Sequence, residues 1–374
     1  MRILIDYRPA LRARTGAGLW IAGLVEALVA LDGPLPPKIT IFSSSWKDRA
    51  GPVAPAGVSV ADHRWPGRVL NWLWHRREWP PGEHLTGKTF DVVHSPSPLL
   101  VPSRSAARLV TIHDLDFLDH PERGLREIGR DYAELAGAHA RRADGVVVSS
   151  ETTAATLTKR LNVRPERITV CPVGAPHWTP RPGTAQGEHV LFVGTLGVRK
   201  NIGRLLRAYA ALRAEREGVP PLLLAGGQGP DSIPELDDPA LCASVLQLGY
   251  VEAPRLKTLY ESAAMLVLPS LDEGFGIPVL EAMTMGVPVV VSDRGSLPEV
   301  AGQAGVLVDP DDTSALTAAM AGLLDDPDRR TRLAEAGIVQ ARLFRWATSA
   351  ATLLDAYHAA YRRRHGEELG ADRG

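Results

Sequence analysis

The stretch Glu273-Gly-Phe-Gly-Ile-Pro-Val-Leu-Glu281 decides how this chain is read, because it sets two carboxylates eight positions apart across a loop-to-helix junction. Before it, Ala264-Met-Leu-Val-Leu-Pro-Ser270 reads as a short buried strand. After it, Pro278 suits the first turn of a helix and Gly286 suits its C-terminal end. Glu273 is then expected in the loop at the carboxyl end of a strand, and Glu281 one turn further in, near the helix start. Between them, Gly274, Phe275, Gly276 and Ile277 bring backbone N–H groups and a helix N-terminus to one place. Such a place suits a ligand that carries hydroxyls next to phosphate: carboxylates accept hydrogen bonds from hydroxyls, and helix N-termini hold anions.

Working outward, 374 residues exceed one ordinary core and predict two domains. With 45% hydrophobic and 23% charged residues, both halves can bury a core. No apolar run approaches the roughly 18 residues of a spanning helix. The opening Met1-Arg-Ile-Leu-Ile-Asp6 reads as a strand and lacks the apolar region of a signal peptide. Cys171 and Cys242 have no metal or redox spacing and are expected to be small, semi-buried structural residues. These features predict a cytoplasmic protein. The net charge of −1 conceals an asymmetry: Met1 to Pro172 holds 23 Lys and Arg against 18 Asp and Glu, and His189 to Gly374 holds 18 against 24. A basic N-terminal half fits an anionic neighbour, either a phosphate or the inner face of a membrane in peripheral contact. Nucleic acid is a poor fit, since no basic stripe is interleaved with stacking aromatics.

Strands are predicted at Arg2–Asp6, Lys38–Phe42, Asp91–His94, Arg108–His113, Gly145–Ser149 and Ile168–Val170, with helices such as Leu19–Leu31 and Glu122–Ala143 between them. A second alternation follows at His189–Val193, Pro221–Ala225, Val245–Leu248, Ala264–Pro269, Val287–Ser292 and Gly305–Val308. Its helices are expected at Asn201–Glu215, Leu256–Ser262, Pro278–Met285 and Thr313–Leu324. Alternation of this kind predicts an α/β fold with two parallel sheets. The Pro- and Gly-rich residues 173–188 read as the linker. The predicted division is 1–172, linker 173–188, 189–345 and a closing helix 346–365.

The run Leu268-Pro-Ser-Leu-Asp-Glu-Gly-Phe-Gly-Ile-Pro-Val-Leu-Glu-Ala282 resembles the E-x7-E signature of the retaining glycosyltransferases of family 4. The resemblance implies a GT-B fold, with two Rossmann-like domains facing across a cleft, and a nucleotide-sugar donor. It implies that Glu273 meets hydroxyls of the transferred sugar and Glu281 those of the ribose. Gly194-Thr-Leu-Gly-Val-Arg-Lys-Asn201 is similar to the family's pyrophosphate clamp. Asn201 is expected to cap the helix that follows, which puts Arg199 and Lys200 at a helix N-terminus where dipole and side chains reinforce one another. Much of the family has Arg where this chain has Thr195, so Lys200 carries over directly and Arg199 stands in for the missing Arg. This form is similar to a bacterial subgroup rich in mannosyltransferases.

Further elements match. Thr15-Gly-Ala-Gly18 resembles the family's glycine loop, which implies that Gly16 and Gly18 approach the donor phosphate and the acceptor. His113, at the tip of strand Arg108–His113, matches the family's His-Asp and is the second expected catalytic residue beside Glu273. Gly249-Tyr-Val251 is similar to the nucleobase-side loop, with Val251 at the base. Leu343-Phe-Arg-Trp346 resembles the start of the closing helix that returns to the N-terminal domain. Arg64 to Trp79, with four of the eight tryptophans, reads as an acceptor lid, an interfacial segment, or plain aromatic packing, the last slightly preferred.

The resemblance implies a retaining hexosyltransferase that needs no metal and no cofactor beyond its donor. GDP-mannose is slightly favoured as donor, with a glycan, lipid-linked or small-molecule acceptor in cell-envelope polysaccharide or glycoconjugate synthesis. Two other readings stand beside it. One is a GT-B nucleotide-sugar epimerase, which the intact E-x7-E and Arg-Lys-Asn elements disfavour. The other is a noncatalytic nucleotide-sugar or glycan binding protein, which the presence of His113 and Glu273 disfavours.

Overall fold

The computed structural model describes residues 1–11, 16–32, 36–45, 48–121, 126–183 and 187–366. The chain divides into two units, Met1–Gly174 with Arg345–Gly374, and Ala175–Phe344. Thr15, residues 122–125 of the predicted second helix, residues 184–186 of the predicted linker and the tail after Gly366 lie outside the described residues.

In the first unit the strands are β1 (Arg2–Asp6), β2 (Lys38–Ser44), β3 (Ser59–His63), β4 (Val92–Ser95), β5 (Ala107–Ile112), β6 (Gly145–Val148) and β7 (Ile168–Val170). They form one sheet in the order β3-β2-β1-β4-β5-β6-β7, and every pairing is parallel. The second unit contains β8 (His189–Val193), β9 (Leu222–Ala225), β10 (Val245–Gly249), β11 (Ala263–Leu268), β12 (Val289–Ser292) and β13 (Gly305–Val308). Its order is β10-β9-β8-β11-β12-β13, again parallel throughout. The central strands read as unbroken apolar runs, such as Val289-Val-Val, because helices cover both faces. Both units are Rossmann-like, as the alternation predicted. The strand that pattern reading misses is β3, whose Ser-Val-Ala-Asp-His sequence sits at an edge and has no apolar run.

The helix Trp346–His365 belongs to the first unit. Two glycines admit its leading indole: a Cβ at Gly23 would stand 2.5 Å from the Trp346 ring, and one at Gly174 would stand 2.3 Å away. Further along, the Tyr357 hydroxyl and His94 Nδ1 are 2.8 Å apart, and His94 Nε2 lies 2.8 Å from Thr111 Oγ1. Ser349 Oγ donates to the Pro172 carbonyl at 2.8 Å. Cys171 is buried, its Sγ 3.2 Å from the Ser349 carbonyl, and burial pushes its thiol up to about 12. Cys242 is exposed, contrary to the semi-buried expectation.

Tyr357→Phe leaves one nitrogen of a fully buried imidazole without its hydroxyl. The expected cost is about 1–3 kcal/mol in urea unfolding of the first unit. Unchanged stability would mean the hydroxyl does not satisfy His94.

Candidate active site

The loops after β8 and β9 zip together in the second unit. Gly194 N–H donates to the Ala225 carbonyl at 2.9 Å, Leu196 N–H to Gly227 at 2.9 Å, and Gly229 N–H to Leu196 at 2.7 Å. The approach is so close that a Cβ at Gly226 would fall 1.8 Å from the Gly194 oxygen. From this pinned loop the chain makes one short turn, Val198–Lys200, and enters the helix Ile202–Glu215. Asn201 does sit at the helix start, but with φ 58°, and its side chain does not cap. Its Nδ2 donates instead to the Pro310 carbonyl at 2.8 Å, which ties the turn to the loop after β13. Left-handed backbone at Asn201 turns the chain sharply, so Arg199 and Lys200 lie on the short turn rather than inside the helix.

Both cations converge on Glu273. Lys200 Nζ donates to Glu273 Oε1, and Arg199 Nη1 stands 3.6 Å from Oε2. Ser270 Oγ donates to Oε1 at 2.8 Å. The Glu273 main chain is held as firmly: its carbonyl accepts from Ser296 N–H at 3.1 Å and Ser296 Oγ at 2.9 Å. Gly295, at φ +58°, lets that loop close, since a Cβ there would stand 2.7 Å from Glu273 N. Glu273 is only 7% exposed. Burial alone would raise its carboxyl, but Lys200 and Arg199 outweigh burial and hold it below the ordinary range.

Gly276, at φ +98°, opens the helix Ile277–Thr284 with Pro278 in its first turn. Glu281 lies in that helix and accepts a 2.8 Å hydrogen bond from the Tyr260 hydroxyl. Among the described residues no cation pairs with it. Burial pushes its carboxyl up to about 7, partly offset by Tyr260. The two glutamates of one motif therefore sit in opposite electrostatic settings, one ionised and paired, the other titrating near neutrality. The Phe275 ring is buried edge-on against Phe344 at 5.6 Å, so only its backbone faces any ligand. Buried Gly274 completes the loop. Thr195 is exposed, and Val251 is half-buried beyond β10, whose last residue, Gly249, accepts from Gly226 N–H at 2.8 Å.

The first unit carries His113 immediately after β5. Its ring meets Trp20 edge-on at 5.1 Å, and Thr153 Oγ1 donates to its carbonyl at 3.3 Å. Burial draws the imidazole down to about 4 despite Asp114, so it is neutral at pH 7. Among the described residues its buried Nε2 has no hydrogen-bond partner. Gly16 is exposed. Gly18 has a packing role: a Cβ there would stand 2.6 Å from the Pro9 carbonyl. Residue-by-residue reading missed Ser270, Tyr260, Ser296 and Trp20. Ser270 stood inside the quoted motif and was legible as a short-range partner; the others meet the site only through the fold. Among the described residues no three His, Cys, Asp or Glu side chains group to hold a metal ion.

The shift of Glu281 fixes a sign. Its carboxyl is raised from 4.5 to about 7, so the unfolded chain ionises first and stability falls as pH rises between those values. Glu281→Gln removes that slope. Its advantage over wild type grows by an order of 1–3 kcal/mol from pH 4.5 to pH 7.5 in urea unfolding. A difference that stays constant with pH would contradict the buried, cation-free setting.

Residues 187–326 match the family described as Glycosyl transferases group 1, and residues 15–174 match the Glycosyl transferase 4-like domain. The chain is 31% identical to O-antigen chain mannosyltransferase B of Escherichia coli over 281 residues, which is 71% of this chain and 74% of that protein. It is 32% identical to D-inositol 3-phosphate glycosyltransferase of Thermobispora bispora over 270 residues, 66% of this chain and 62% of the relative. Among solved structures, sucrose-phosphate synthase from Thermosynechococcus elongatus matches with TM-score 0.74 at 21% identity, covering 96% of this chain and 98% of the other. HepE from Anabaena, solved with UDP-glucose, matches with TM-score 0.69 at 18% identity, covering 95% and 98%. These likenesses give the fold as GT-B. Across both units, then, this chain belongs to the group 1, family 4-like glycosyltransferases.

Proposed function

We propose that the chain is a retaining, metal-independent hexosyltransferase that moves a hexose, with mannose favoured, from a nucleotide-diphosphate sugar to an acceptor hydroxyl in cell-envelope glycan synthesis. The observation that carries this reading is the convergence of Lys200 and Arg199 on Glu273. Two fixed cations beside a carboxylate suit a diphosphate bound next to a sugar. As the bond from the anomeric carbon to the diphosphate breaks, charge builds on the leaving oxygen, and Lys200 and Arg199 stabilise it. The new bond forms from the acceptor hydroxyl to the same carbon on the same face. The hydroxyl proton passes to the leaving phosphate oxygen.

In this reading Glu273 binds hydroxyls of the transferred sugar and Glu281 those of the ribose. Loop backbone at Gly274, Gly276 and Ile277 approaches the donor, and Val251 borders the base. Neutral His113 offers an N–H to a sugar hydroxyl or the diphosphate, and Gly16 lies beside the donor phosphate. Residues 1–174 take the acceptor. The mannosyltransferase relative supports mannose, and therefore GDP-mannose. HepE, solved with UDP-glucose, favours a second reading with a uridine donor. No helix among the described residues is long and apolar enough to cross a membrane, so contact with a lipid-linked acceptor would be peripheral.

Transfer is measured with GDP-mannose and UDP-glucose in EDTA, on wild type and Lys200→Ala. One donor should support transfer in EDTA, and Lys200→Ala should lower kcat/KM by about 10²–10³-fold. Activity that vanishes in EDTA and returns with a divalent cation would overturn metal independence. Full activity in Lys200→Ala would remove the assigned clamp.

A further inference from the structure

Of the four tryptophans in residues 64–79, one enters the core of the first unit, while Trp72 and Trp79 are exposed. Trp74, in the helix Gly67–Arg77, is 2% exposed, donates from Nε1 to the Pro80 carbonyl at 2.9 Å, and packs with Leu4, Phe42 and Leu70. Trp65, partly buried against the same cluster, and Trp79 form a pair. They meet edge-on at 6.2 Å and line a cavity of about 290 Å³ together with His63, His84, Pro80 and Leu85. Trp79 stays 50% exposed. His63, the last residue of edge strand β3, is half-buried and stacks on Phe42 at 5.5 Å. The cavity opens to solvent, since Trp79 and His84 are exposed and Trp65 and His63 are half-buried.

Two indoles beside two imidazoles on a face open to solvent define the ligand class. An indole covers an apolar surface and keeps one donor for a polar edge. Each imidazole adds a donor or an acceptor. A hexopyranose has the matching form, with a face of C–H bonds and a rim of hydroxyls, and it is of a size for this cavity. The described residues that line the cavity are Trp, His, Pro and Leu, a set that suits a neutral sugar.

We infer that this cavity is an outer subsite for one hexopyranose of an extended, neutral acceptor glycan. This rests on the transferase reading and adds a length preference to it. His63 ends β3, and His113 immediately follows β5, in the same sheet. The two strands are four spacings apart, which at about 4.8 Å each is roughly 19 Å. A glycan that reaches both points is several sugars long. A single sugar or a disaccharide reaches only one of them.

The test is binding of neutral linear di- and hexasaccharides of mannose, glucose and galactose, α- and β-linked, without donor, followed by calorimetry and tryptophan fluorescence. The full-length wild type should bind at least one hexasaccharide at least tenfold tighter than its disaccharide. Trp79→Ala should erase that difference, Trp79→Phe should restore part of it, and GDP or UDP affinity should be unchanged in both. In transfer assays Trp79→Ala should raise KM for the hexasaccharide about tenfold and leave kcat, and KM for the disaccharide, unchanged. No length-dependent binding to any of these glycans would overturn the subsite. So would Trp79→Ala binding hexasaccharide like wild type, or the substitution abolishing binding to anionic phospholipid vesicles while no glycan binds. Because nucleotide binding is read on the same samples, failure of the donor assignment appears separately from failure of this site.

Discussion

Glu273 is a carboxylate almost wholly removed from water, and removal of a charge from water costs several kcal/mol unless it is compensated. Lys200, Arg199 and Ser270 compensate it, and much of the second unit exists to hold them there. The zipped loops after β8 and β9 fix where the short turn begins. Left-handed Asn201 sends the chain into its helix at the angle that leaves both cations beside β11. Gly295 lets the loop after β12 grip the Glu273 main chain from the other side. A diphosphate entering this place would compete with Glu273 for cations that the surrounding loops already position. The cations need little reorganisation, which is where electrostatic stabilisation of a leaving group is most effective.

The first unit solves a different problem. His113 stays neutral because its surroundings are dry, with Trp20 against one side and no paired acid strong enough to charge it. Trp20 also meets His94 edge-on at 6.1 Å, and His94 is tied to Tyr357 of the last helix. Burial, and secondarily His113, draw His94 down to about 3. Two neutral imidazoles and an indole thus form one apolar block under the tip of β5. The last helix is part of that block, which gives a physical reason for the chain to return to its first domain.

Local signals were the legible ones. The E-x7-E spacing, the glycines at turns and the Arg-Lys-Asn run each lie within one strand–loop–helix passage, so sequence order maps onto space. Tyr260 was not legible: it meets Glu281 from a helix 21 positions away, and a tyrosine at an ordinary amphipathic position carries no mark of that. Nor was the contrast between the glutamates, which depends on which loops bring cations. Asn201 was placed correctly at a helix start and given the wrong job, because an Asn there serves equally as a cap or as a left-handed turn residue. Edge strand β3 escaped because a half-exposed, polar strand lacks the apolar run that marks its neighbours. Phe275 and Gly18 are held by packing that only the folded chain reveals.

The most direct measurement is calorimetric titration of GDP and UDP into wild type and Glu273→Gln, with no sugar on the nucleotide. If Glu273 occupies the cations until a diphosphate arrives, the neutral isostere frees Lys200 and Arg199, and Glu273→Gln binds the nucleotide more tightly than wild type. Weaker binding in Glu273→Gln would mean that the carboxylate builds the diphosphate site instead of competing for it, and would contradict the account of the clamp.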